Sequence, residues 1–168
     1  MNAQKTQKIH FHDDGTIPNS KLPVIVYYSI TDVIDKSTWF EQNFAKNNWR
    51  NNWRDIILPY DHFHSNTHEI LGISKGIVTL NIGGAKGKQL LLSAGDALLL
   101  PAGVGHYFVS SAGAYEVVGG YPDGGNWNLL QELGADKDSI YAEIDSLEIP
   151  QLDPIHGLDG PMHKYWKK

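Results

Sequence analysis

Cysteine is absent from the 168-residue chain. A disulfide framework, a Cys₄ zinc knuckle, an iron–sulfur cluster and a thiolate nucleophile are all excluded. Any metal must then be held by histidine and carboxylate. Arginine is nearly as scarce: Arg50 and Arg54 are the only two among 14 basic residues, against 19 Asp and Glu. No basic face exists on which to lay phosphates, so nucleic acid is not an expected partner. Long apolar runs are missing too. Nothing approaches the roughly 20 residues a membrane helix needs, and the opening Met1-Asn2-Ala3-Gln4-Lys5 lacks the apolar stretch of a secretory signal. The reading is a soluble, cytoplasmic protein with no membrane partner.

The length suits one domain of about 100 to 200 residues. Seventeen Gly and eight Pro punctuate short runs of Val, Ile, Leu and Tyr, the pattern of an all-β fold with frequent turns. Strands are expected near 23–30, 53–59, 61–65, 68–74, 77–83, 88–93, 96–100, 106–110 and 115–121. Alternation is clearest in Ile77-Val78-Thr79-Leu80-Asn81-Ile82, and the near-continuous apolar runs elsewhere suggest sheets packed against each other or closed into a barrel. Two short helices flank this core. One spans 39–47, with Thr38 and Glu41 as a capping box; the other spans 128–133, with Leu129, Leu130 and Leu133 on one side and Gly134 to end it. The whole chain, 1–168, reads as a single domain: an N-terminal arm over 1–22, a barrel core over about 23–122, and a C-terminal helix and extended tail over 123–168.

Eight histidines remain to be explained. On a strand, residues two apart share a face about 7 Å apart, so His62 and His64 can aim both imidazoles at one point. Glu69 lies five positions beyond His64, and Ser65-Asn66-Thr67 supplies the turn that lets a second strand bring its carboxylate back. Downstream, Gly95 opens a buried run that leads through Pro101 and Gly103 to His106, a candidate fourth ligand. Three imidazoles and one carboxylate suit one divalent transition metal, Fe, Mn, Ni, Zn or Cu, without choosing among them.

These residues resemble the cupin family. Its first motif is Gly, five residues, His-x-His, three or four residues, Glu, six residues and Gly; His62, His64, Glu69 and Gly76 stand at that spacing. Its second motif is matched by Gly95, Pro101, Gly103 and His106. Ile56 departs where the first motif has Gly, and Ser110 where the second ends in Asn. Beyond the motifs, Phe11 to Asn19, Trp53 to Leu71 and Gly119 to Gly124 are similar to the YjlB-type single-domain bacterial cupins. The resemblance implies a double-stranded β-helix (jelly-roll) barrel, a divalent metal on His62, His64, Glu69 and His106, and a homodimer. It supplies no substrate, because the fold hosts unrelated chemistries.

Arg54, Ile56, Leu58 and Tyr60 share the parity of His62 if the strand runs unbroken past Pro59. Arg54 then becomes a candidate anion clamp and Tyr60 a candidate catalytic phenol, with pairing of Arg54 to a surface carboxylate as the alternative. His68, adjacent to Glu69, faces the opposite way and reads as an exterior or supporting residue. Phe108 is assigned to core packing and Ser110 to a water or a supporting contact. His10, His12, His156 and His163 are assigned to solvent or local hydrogen bonds. The expected function is a metal-dependent enzyme on a small oxygenated organic molecule, dioxygenase-like or isomerase-like; the rival is a non-catalytic small-ligand or metal-binding protein.

Overall fold

Alternating burial along Ile77–Ile82 places Val78, Leu80 and Ile82 fully inside, and that face meets a second, larger sheet. The computed structural model describes residues 5–168. Its order is β1 (Thr6–Ile9), β2 (Val24–Tyr27), α1 (Lys36–Lys46), β3 (Trp49–Asp55), β4 (Glu69–Lys75), β5 (Ile77–Ile82), β6 (Lys88–Ser93), β7 (Ala97–Leu100), β8 (His106–Ser111) and β9 (Glu116–Pro122). After β9 come α2 (Lys137–Ser146) and α3 (Pro161–Tyr165). One antiparallel sheet runs β1-β2-β7-β4-β9-β3 and the other β6-β5-β8. The fold is all-β, a jelly roll with a few short helices.

The strands of the larger sheet are buried on both faces because each face has its own cover. Val24, Val26, Leu71, Ile73, Leu98 and Leu100 point inward against the smaller sheet. Their neighbours Ile25, Tyr27, Ile70, Ala97 and Leu99 point outward under α1 and the C-terminal tail, packed with Phe40, Phe44, Met162 and Trp166. Gly72 lets α1 close on the sheet, since a Cβ there would stand 2.6 Å from the Phe40 ring.

Three expected elements differ. The strand at 53–59 ends at Asp55, having begun at Trp49. Residues 61–65 form no strand, only isolated bridges at His62 and Phe63. The helix over 128–133 is absent: Leu130 pairs with Phe63 in extended conformation, and the helix begins nine residues later than expected, at Lys137. Its leucines are spent on packing, with Leu133 and Leu130 joining Ile17, Phe63 and Ile140 in a third cluster. The first helix exists but starts at Lys36, capped by Asp35, whose carboxylate accepts from the Thr38 N–H at 3.1 Å.

Candidate metal centre

Two backbone exchanges set the floor of the site. The N–H of His62 donates to the His106 carbonyl at 3.3 Å and that of His106 to the His62 carbonyl at 3.0 Å, which brings their ring centroids to 4.2 Å. One residue on, Phe63 makes the same exchange with Leu130 on the other side, at 2.8 and 3.0 Å. The segment 62–64 is thus threaded between β8 and an extended strap, and His64 returns to the face of His62. Glu69 opens β4 opposite Leu100, on the inward parity of Leu71 and Ile73.

The structure brings His62, His64 and His106 together, with one ring nitrogen from each lying within 4.8 Å of the others. Each ring is oriented by a backbone carbonyl. Nδ1–H of His62 donates to Tyr60 O at 3.0 Å, that of His106 to Val104 O at 3.1 Å, and that of His64 to Asn128 O. With Nδ1 so committed, a neutral ring presents its lone pair at Nε2. Glu69 Oε2 stands 3.3 Å from Nε2 of both His64 and His106, is buried, and has no hydrogen-bond donor. Lone pairs facing a carboxylate oxygen at this distance repel unless a positive charge lies among them. A divalent metal ion fits that requirement, and its holders would be His62, His64, His106 and Glu69; without the ion, a proton on His64, which Glu69 favours, meets it.

The electrostatics agree with that donor set. Burial, reinforced by the neighbouring His106, pushes the His62 pKa down to about 3, so this ring is neutral and ready to donate. At His64 burial also opposes charge, but Glu69 outweighs it and holds the pKa above its ordinary value. Burial would raise Glu69; the two imidazoles beside it overcome burial and hold it below the usual carboxylate range. Tyr121 is pushed up by burial and by Glu69. Its hydroxyl donates to Glu69 Oε1 at 2.9 Å and accepts from the Trp53 indole N–H at 2.8 Å. Gly119 makes room for that indole, since any Cβ would fall 2.1 Å from it.

Above this floor lies a cavity of about 370 Å³ walled by Trp53, Ile57, Leu58, Tyr121, Trp127 and Leu129, with Asn51, Asn52, Asp55 and Ile56 also lining it. Two residues read from the sequence as catalytic are elsewhere. Arg54 is a correction: its guanidinium forms a two-pronged pair with Glu41 of α1, both contacts at 2.7 Å, and reaches the Thr38 hydroxyl at 3.2 Å. Within β3 alternation sends Trp53 and Asp55 to the cavity and Arg54 to the outer face. Tyr60 is the second correction: the residue is 42% exposed and outside the cavity lining, its ring standing edge-on to His62 at 6.0 Å between centroids while its carbonyl accepts from His62 Nδ1–H. The expected parity from Arg54 to His62 fails because the strand stops at Asp55.

His68 lies on the far side of β4 from Glu69. It is buried against Trp166, ring centroids 4.8 Å apart, with Nδ1 accepting from the Ala102 N–H at 2.9 Å. Phe108 stacks on Tyr115 with ring centroids 5.2 Å apart, and Ser110 is exposed. His10, His12 and His156 are exposed, and His163 donates to Gly157 O at 3.1 Å. Sequence reasoning missed the strap. Asn128 gives its carbonyl to His64, its Oδ1 accepts from Ser65 N–H at 2.9 Å and its Nδ2 donates to Ser65 Oγ at 2.7 Å. Trp127 and Leu129 on either side line the cavity. The three-residue run Trp127-Asn128-Leu129 alternates apolar and polar, a signal too short to outweigh helical spacing of leucines.

No family model matches the chain. An uncharacterized protein of Bacillus subtilis (strain 168), YjlB, is 33% identical over 166 residues, 98% of this chain and 99% of its own. Among solved structures, a deletion mutant of Bacillus subtilis oxalate decarboxylase is 17% identical with a TM-score of 0.40, covering 71% of this chain and 30% of that one. Hydroxypropylphosphonic acid epoxidase from S. wedmorenis, in complex with fosfomycin, is 16% identical with a TM-score of 0.30, covering 60% and 43%. The chain spans less than half the length of these two proteins.

Proposed function

Since the chain belongs to the family of YjlB and its histidines and glutamate stand at a spacing that resembles the cupin motifs, we propose that it is a metal-dependent enzyme acting on a small oxygenated organic molecule. The observation that carries this reading is the convergence of three imidazole Nε2 atoms and the donorless Glu69 Oε2 at the floor of a cavity large enough for a small ligand. A bound transition-metal ion would supply Lewis acidity toward a ligand oxygen and, if redox-active, a route to oxygen chemistry.

The chain's own residues do the rest. Backbone carbonyls hold the imidazoles in one tautomer, Tyr121 fixes the Glu69 carboxylate, and Ile57, Leu58 and Leu129 give the cavity apolar wall. Apart from the four ligand candidates, the titratable side chains lining the cavity are Tyr121, committed to Glu69, and Asp55 at the exposed rim. That scarcity of a free proton carrier favours dioxygenase-like chemistry over isomerisation. It equally supports the rival, a barrel that binds its ligand without consuming it.

The test begins with elemental analysis of protein purified without immobilised metal. Oxygen uptake and turnover follow, across phenolic, keto and sugar compounds. Absence of metal at all pH values above 7 would sink the reading, and a compound bound but never consumed would hand it to the rival. We further propose a homodimer formed through an outer strand of the larger sheet, β1 or β3, to be checked by light scattering. Among the described residues, no helix is long and apolar enough to cross a membrane.

A further inference from the structure

The walls of the cavity carry information that its floor does not. No lysine or arginine lines it, and Arg54, between Trp53 and Asp55 in sequence, is turned away to Glu41. A ligand with a carboxylate or phosphate would find no cation on the walls.

The hydrogen-bond donors are also largely spent. Trp53 N–H is given to Tyr121, and the Tyr121 hydroxyl to Glu69. The Asn52 amide donates to Trp49 O at 3.2 Å and to Gly119 O at 3.0 Å, which uses both of its hydrogens. Asn51 Nδ2 donates to Gly125 O at 3.2 Å. What remains on these polar side chains is mainly acceptor oxygen, from the two amides and from Asp55. Such a wall receives hydroxyl hydrogens and repels anions.

Trp127 adds a shape. The residue is 44% exposed and lines the cavity; its indole lies 5.4 Å from the His64 ring and is stacked within 27° of the Tyr121 plane at 6.3 Å. An exposed tryptophan held this way offers a flat apolar face that a planar ring would cover. The strap that carries it is tied to the metal floor through Asn128.

We propose that the cavity takes an uncharged planar ring bearing hydroxyl groups, laid against Trp127, and discriminates against the same ring when it carries a carboxylate. The inference rests on the metal reading above for the orientation of the ring. Its substance is in the walls: Trp127 sets the plane, and the acceptors Asn51, Asn52 and Asp55 set the charge preference.

The experiment compares catechol with 3,4-dihydroxybenzoate by calorimetry on protein loaded with Zn(II), a redox-silent ion, with metal content measured before and after titration. Catechol is expected to bind about tenfold or more tightly than the acid. Trp127→Ala should weaken catechol about tenfold without loss of zinc, and Trp127→Phe should restore most of it. Ile56→Lys, at an exposed position on the cavity wall, should narrow the gap between the two compounds by giving the carboxylate a partner. Equal or tighter binding of the acid by the unaltered protein overturns the proposal. So does catechol binding indifferent to Trp127→Ala, or zinc-loaded protein that binds no catechol. If zinc does not load, the metal reading fails by itself. The two compounds are then compared on the metal-free protein, where lack of discrimination overturns the ring preference independently.

Discussion

Glu69 and His68 are neighbours in sequence with opposite surroundings. Glu69 faces the imidazoles of His64 and His106 across the inner side of β4, while His68 packs against Trp166 behind it. Glu69→Gln should therefore lower metal affinity by an order of magnitude or more. His68→Ala should cost stability, on the order of 2 kcal/mol for a buried ring removed, while keeping the metal. Elemental analysis and thermal melting of the two variants side by side separate them; metal lost from the His68 variant but kept in the Glu69 variant would reverse the assignment. The pH dependence of metal binding belongs to His64. Glu69 holds a proton on that ring more tightly than on free imidazole, so a metal must displace it. Affinity should be full above the raised pKa and fall as pH drops through it, about tenfold per pH unit for one displaced proton. His62, with its pKa at about 3, adds no competition until far lower. Chelator competition from pH 8.5 to 5.5 reads this directly; affinity flat down to pH 6 contradicts it. Arg54→Lys, by contrast, should leave metal content and ligand binding unchanged, because its partner is Glu41.

At the scale of elements, the strap from Asn126 to Leu130 decides how rigid the metal floor is. Asn128 holds His64 by its main chain and Ser65 by its side chain. Asn128→Ala keeps the carbonyl but frees the segment, and about tenfold weaker metal binding is expected, with melting little changed. A loss confined to stability would show the strap to be packing only. The strap also marks what could be read from the sequence. The sequence pointed to His62, His64, Glu69 and His106 because metal chemistry demands such side chains at spacings a strand and a turn can deliver, and the fold brings the three histidines together with Glu69 beside two of them. The barrel strands were legible as short apolar runs between glycine and proline turns, continuous where the larger sheet is covered on both faces and alternating only along β5 and β6. Arg54 and Tyr60 were misjudged because parity was carried across Asp55, where pairing with β9 ends and alternation has no meaning. The helix at 128–133 was misjudged because Leu129, Leu130 and Leu133 satisfy a helical spacing equally well when two of them pack into the third cluster and one lines the cavity. Trp53 and Tyr121 carried no local signal at all; their roles arise from β3 and β9 pairing across the sheet.

Across the whole molecule, the C-terminal tail closes the outer face of the larger sheet, and one buried carboxylate holds it there. Asp153 is fully buried. One of its oxygens accepts from the N–H groups of Ile155 and His156 at 2.8 and 3.0 Å, the other from Met162 N–H at 3.0 Å and the Tyr27 hydroxyl at 2.7 Å. Four donors converge on two oxygens, which only a carboxylate can satisfy. In Asp153→Asn the amide nitrogen must face one of these donor pairs, leaving buried N–H or O–H groups unpaired at about 1 to 3 kcal/mol each. Tyr27→Phe removes a single bond and should cost about 1 kcal/mol. Because the tail brings Trp166 over His68, and His68 precedes Glu69, loosening the tail should expose His68 before it disturbs the metal floor. His68 is held neutral by burial, its pKa lowered to about 4. The unfolded chain therefore takes up a proton below about pH 6.5 that the folded ring refuses, and this ring's share of stability falls as pH drops from there toward 4, by about 3 kcal/mol in full and about 2 kcal/mol by pH 5, with His62 adding loss in the same direction. In Asp153→Asn that acid sensitivity should shrink, since a wetter His68 can charge in place. Denaturant unfolding of metal-free protein at pH 7.5 and pH 5 gives both quantities. An Asp153→Asn variant less stable at pH 7.5 but with the unaltered protein's full loss between the two pH values would show that the tail does not shield His68.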